Sequence, residues 1–129
     1  MAYLARLKVR PNDETLSAAD LRHLQAHFQP SAAEVEIGGR VIEWTRIEAI
    51  EVAKAARAAG PAGWLVKKLV YGEDRYHVGI YWADDEAVLP NLSLTAARYV
   101  VEMIAYYSPT PVRYNGPQDL APLVDSWNP

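Results

Sequence analysis

The chain has 129 residues, of which 50% are hydrophobic and 22% charged, with a formal net charge of −3 and no cysteine. That is enough for one packed domain, and it excludes disulfides, thiol catalysis and thiolate zinc sites. No basic cluster offers the positive face that nucleic acid or an anionic membrane requires, and no apolar run approaches the ~20 residues that span a bilayer.

In chain order, Tyr3, Ala5, Leu7 and Val9 alternate with Leu4, Arg6, Lys8 and Arg10, which predicts a strand over 3–10 ending at Pro11. Charges inside this opening stretch do not suit a signal peptide, so a cytoplasmic protein is the default expectation. Ser17 with Asp20 resembles a capping box, and Leu21, Leu24 and Phe28 share one helical face before Pro30, predicting a helix over 15–28. Val35 to Ile37 and Arg40 to Ile42 read as two short strands around a Gly38-Gly39 turn.

The stretch 45–60 supports two readings. Thr45 and Glu48 form a capping pair, Ala49, Val52, Ala53 and Ala56 share a face, and Gly60-Pro61 is a stop, which together favour a helix over 45–59. Ile47, Ile50 and Val52 are β-branched and also allow a strand over 46–53, although propensity alone favours the helix.

Further along, Trp64 to Tyr71 and Arg75 to Trp82 flank Gly72-Glu73-Asp74 and predict a hairpin, with Tyr76, Val78, Ile80 and Trp82 on the apolar face of the second strand. Asp84-Asp85-Glu86 predicts the next turn, and Ala87 to Leu89 a short strand stopped by Pro90. The period then changes: Ala97, Val100, Val101 and Ile104 are spaced for a helix over 92–107, with Arg98 and Glu102 on its other face, Ser93 or Thr95 as cap and Ser108-Pro109 as terminator. A single globular domain is thus expected over 1–108. The remainder, 109–129, holds five of the nine prolines. Leu120, Leu123, Val124 and Trp127 follow a possible Asp119 cap at one-turn spacing, so this tail is expected to dock on the domain or on a neighbouring subunit.

The strand reading of 45–60 makes seven strands, 3–10, 33–37, 40–44, 46–53, 63–71, 75–83 and 86–89, followed by one helix. That order, with Ile42-Glu43-Trp44 running into Arg46 to Val52 and Leu89-Pro90-Asn91-Leu92 leading into the helix, resembles the bacterial pleckstrin-homology-like domains over about residues 33–107. The resemblance implies a mostly-β, β-rich α+β fold: a seven-stranded split barrel with a C-terminal helix, here carrying an N-terminal helical insertion. The alternative is an α+β antiparallel sheet with three helices. In phosphoinositide-binding members a basic cluster on the first two strands holds the phosphates. Arg6, Lys8 and Arg10 could supply one side, but Glu34 and Glu36 stand where the second should be positive, so phosphoinositide binding is not expected.

Few residues suggest chemistry. Asp20, His23 and His27 share one side of the predicted helix and form an incomplete metal-ligand set, against the simpler reading of a solvated face. His77 could act as a general base, although a surface or loop-contacting histidine explains it far better. Ser17, Ser93 and Ser108 stand where helix caps are needed, and Asp84-Asp85-Glu86 lacks the ligand pattern of a calcium loop. No catalytic residue, metal or cofactor is therefore assigned. Tyr99, Tyr106 and Tyr107, with Leu120, Leu123 and Trp127 of the tail, are the expected interaction residues, because aromatic and apolar anchors dominate protein interfaces. The sequence points to a non-catalytic, self-associating interaction module. The alternative is a small-ligand-binding protein or small enzyme using His23, His27, Asp20 or His77.

Overall fold

The computed structural model describes residues 2–54 and 75–125. Among them the fold is β-rich α+β, with nine strands in two sheets, two α-helices and no closed barrel. The strands are β1 (Tyr3–Leu4), β2 (Phe28–Pro30), β3 (Glu34–Ile37), β4 (Arg40–Glu43), β5 (Ala49–Lys54), β6 (Tyr76–Trp82), β7 (Asp85–Leu92), β8 (Arg113–Asn115) and β9 (Leu123–Val124). The helices are α1 (Ala18–His27) and α2 (Leu94–Tyr107). The larger sheet runs β7-β6-β5-β8-β1-β9 and the smaller β2-β3-β4.

Both helices start where a serine accepts from the backbone. Ser17 Oγ takes the Asp20 N–H at 3.1 Å, and Ser93 Oγ takes the Ala96 N–H at 3.1 Å. The α2 stripe is a core face: Ala97, Val100, Val101 and Ile104 are fully buried against β6 and β7. In the small sheet Gly38 and Gly39 take φ of 58° and 85°, the paired positive values that a two-residue hairpin turn needs.

The stretch 45–60 is decided for residues 49–54 by pairing. Trp44–Arg46 is a single 3₁₀ turn, and 49–54 forms β5, antiparallel to β6 and parallel to β8. The predicted helix over 45–59 is therefore wrong there, and with it the three-helix alternative. Ile50 and Val52 point into the core, and hydrogen bonds on both strand edges outweigh a capping signal that is only local.

Other expectations need correction. The hairpin between 64–71 and 75–82 has its first strand outside the described residues, and β6 is instead paired along both edges, by β5 and β7. The turn before β7 is Ala83-Asp84, one residue earlier than predicted, with Trp82 opposite Asp85. Pro90 does not stop β7. Among the described residues this strand pairs on one side only, with β6, and a bulge opposite Tyr76 to Val78 absorbs Pro90 and Asn91, where no N–H is needed for that ladder.

The first strand shrinks from 3–10 to β1, and Leu4 rather than the Tyr3 row is buried. The chain leaves the sheet because Leu7 N donates to the Ala105 carbonyl in the last turn of α2, a group without a helical partner. Residues 113–115 and 123–124 of the proline-rich segment form β8 and β9, which flank β1. The helical spacing over 120–124 is thus not a helix. Leu120 is buried, Leu123 is partly buried, and Trp127 lies outside the described residues.

Candidate binding recess

Residues 9–16 connect β1 to α1 without regular structure, and two side chains fix their course. Arg10 Nε donates to the Tyr107 hydroxyl at 2.9 Å, and Leu16, which is buried, turns back through its N–H to the Asp13 carbonyl. This loop stands off α2 and leaves a recess of about 590 Å³ between them. On the helix side Thr95, Arg98, Tyr99 and Glu102 line it, spaced so that they share one face of α2.

A second recess of about 260 Å³ lies between the same loop and α1. Leu21, Leu24 and Phe28 form its apolar wall, and Arg10 and Tyr99 line both recesses. The two are therefore halves of one surface, and each half mixes polar and apolar groups.

Burial sets the electrostatics. It pushes the Tyr99 hydroxyl above its ordinary range, with Arg10 opposing and Asp13 adding to the shift, so the phenol stays a donor at neutral pH. Burial also raises Glu102, against the attraction of Arg98 one turn earlier. Arg10 is held further into its charged form, chiefly by its bond to Tyr107.

The other candidates have structural partners. Ser93 Oγ donates to Asp20 Oδ2 at 2.8 Å, which links α1 to the start of α2. His23 and His27 lie with ring centroids 5.0 Å apart, and among the described residues no group of three or more metal-ligating side chains comes together. His77 Nδ1 accepts from the Asn91 N–H at 3.2 Å, closing the β7 bulge. No histidine lines either recess.

The tyrosines part company. Tyr99 lines the recess, Tyr107 stacks on Trp44 and accepts from Arg10, and Tyr106 meets Tyr107 edge-on at 4.9 Å. From sequence, Arg10 reads only as one side of a phosphate cluster that Glu34 and Glu36 argue against, and Arg98 and Glu102 only as the outer face of the helix. The signal for the helix side was the polar set Thr95, Arg98, Tyr99 and Glu102 at helical spacing, which reads as an ordinary solvated face until a facing loop is known. No protein-family model matches the chain, and no curated protein or solved structure matches it either.

Proposed function

We propose that this protein is a non-catalytic binding module whose working surface is the paired recess around Arg10 and Tyr99. The observation that carries this reading is the shared wall: one arginine and one tyrosine join two hollows that each set a few polar groups among apolar ones, the composition expected of a ligand site. The enzyme alternative has less support, since Asp20, Ser93 and His77 are committed to a helix start and a bulge, away from the recesses. For the scaffold we propose a pleckstrin-homology-like arrangement of residues 33–107, supported by two antiparallel sets of strands, β3 with β4 and β5 to β7, followed by one helix.

A ligand-observed NMR screen of chemically diverse fragments tests the module reading. Binders are expected to lose affinity in Tyr99→Ala and to be recovered unchanged after long incubation. Binders indifferent to Tyr99→Ala, or converted to product, contradict it.

Self-association belongs to the same proposal and is assigned to the tyrosine end of α2, where Tyr106 is only half buried. Sedimentation velocity should give a mass above that of the 14.4 kDa chain, lowered by Tyr106→Ala. A monomer at every concentration would remove this part of the reading.

A further inference from the structure

We propose that the outer face of β3 and β4 docks the loop after β1 of a second copy, with Arg6 and Lys8 of one chain meeting Glu34, Glu36 and Glu43 of the next. This contact is separate from the one at Tyr106 and rests on different residues.

Strand register builds the acidic half. Val35, Ile37 and Ile42 point into the core, so Glu34, Glu36, Val41 and Glu43 share the opposite face. Glu34 stands directly across from Glu43, and Glu36 across from Val41. Three corners of this square are carboxylates, and the fourth is Val41, which is 60% exposed. None of the three glutamate side chains bonds to another described residue. Gln29, on the other side of Glu36, adds no charge, and Arg40 turns to the far face, onto Asp85 and Trp82. Even with Arg46 in the turn beyond β4, negative charge is in surplus here. Like charges directly opposite each other weaken a sheet, so the Glu34–Glu43 pair gains from a cation placed between them.

The basic half lies after β1. Leu7 packs against the core and its N–H is held by the Ala105 carbonyl, while Arg6, Lys8 and Val9 beside it are exposed. Residues 5–10 carry Arg6, Lys8 and Arg10 and no acid. Arg10 is committed to Tyr107, whereas neither Arg6 nor Lys8 bonds to another described residue. Val9, at 79%, and Val41 are the most exposed large apolar side chains among the described residues. Each sits among charges, and the two sets have opposite signs. Within one chain no ion pair joins the halves. Between two chains, each valine covers the other while the charges pair around them.

Because the two patches differ, each contact leaves one of either kind free, and association extends beyond a dimer. One loop on one small face belongs with the transient interfaces that bury less than about 1,200 Å². The contact should therefore be weak and sensitive to salt.

The test is sedimentation velocity of the full chain carrying Tyr106→Ala, which takes the contact at the end of α2 out of the measurement. The mean mass of this parent should rise with concentration above 14.4 kDa. It should return to the monomer value in about 1 M sodium chloride, where charges act only over ~3 Å. A loop variant, Arg6→Gln with Lys8→Gln, and a face variant, Glu34→Gln with Glu36→Gln, should each be folded and monomeric. Mixed in equal amounts, they should form a one-to-one dimer and nothing larger, since each supplies the half that the other lacks. Val9→Ser should weaken association of the parent about tenfold. Association that ignores salt overturns the proposal, as does a mixture that stays monomeric. Loss of association in the face variant alone also overturns it and gives the face to a different basic partner. A parent that is monomeric at every concentration overturns this contact, and leaves the one at α2 standing if the unaltered chain still associates.

Discussion

The ring of Tyr107 lies on the ring of Trp44, with centroids 4.9 Å apart and planes 12° from parallel. This stack joins the end of α2 to the turn between the small sheet and β5, and the Trp44 indole N–H reaches the Ser31 carbonyl at 2.7 Å. The same Tyr107 hydroxyl anchors Arg10, so the packing of Trp44 also sets one wall of the recess.

Trp44 is 2% exposed, so Trp44→Ala removes a large buried ring and should cost about 3–5 kcal/mol in urea denaturation. The same variant should weaken ligand binding by freeing Arg10. Stability within about 1 kcal/mol of wild type would show that the stack does not carry this junction.

Glu102 gives a pH signature with a definite sign. Its carboxyl titrates above the ordinary range in the folded chain because burial disfavours the anion. Its favourable contribution is therefore full below the unfolded-state value and is lost as pH rises through the folded one. Glu102→Gln should raise the melting temperature at neutral pH, and the gain should vanish in acid. A gain that persists unchanged below the ordinary carboxylate range would contradict the burial argument.

Arg40 and Asp85 should show the opposite sign. Arg40 forms an ion pair with Asp85, donates to the Glu86 carbonyl at 2.9 Å and lies over the Trp82 ring, so it bolts β4 to β7. The bond from Arg40, helped by the Glu86 N–H, holds Asp85 below its ordinary value. This contribution is present above the unfolded-state value and is lost as pH falls through the folded one. Arg40→Met should lower the melting temperature at neutral pH, and the difference should shrink in acid and in high salt. A difference independent of both would mean that packing on Trp82, not charge, matters.

The alternating and helical periods were legible where one face is wholly buried. The α2 stripe and the Tyr76, Val78, Ile80 and Trp82 row of β6 sit as the sequence reads, and Gly38-Gly39 makes the expected turn. The failures share a cause in contacts distant along the chain. Thr45 and Glu48 look like a helix start, and only the pairing of 49–54 with β6 and β8 reveals a strand. Nothing near Arg113 or Leu123 announces that both will flank β1. For the site, Tyr99 was legible as an aromatic anchor. Arg98 and Glu102 were not, because the loop that makes their face concave has no periodicity of its own.

Gly116 tests the placement of β8. A Cβ there would come 2.9 Å from the Val52 carbonyl oxygen and 3.0 Å from the Tyr114 hydroxyl, and the carbonyl, being backbone, cannot swing aside. Gly116→Ala should therefore destabilise by about 1–3 kcal/mol, measured by urea denaturation. An unchanged midpoint would mean that β8 does not approach β5 this closely.

The central claim, that ligands enter between the 9–16 loop and α2, is tested most directly by mapping the amide shifts of ¹⁵N-labelled protein with any binder from the fragment screen. The expected result is a cluster of shifts on residues 9–16 and 95–102, extending to Leu21 and Phe28. Shifts gathered instead along the outer edge of β7, or around β9, would contradict it.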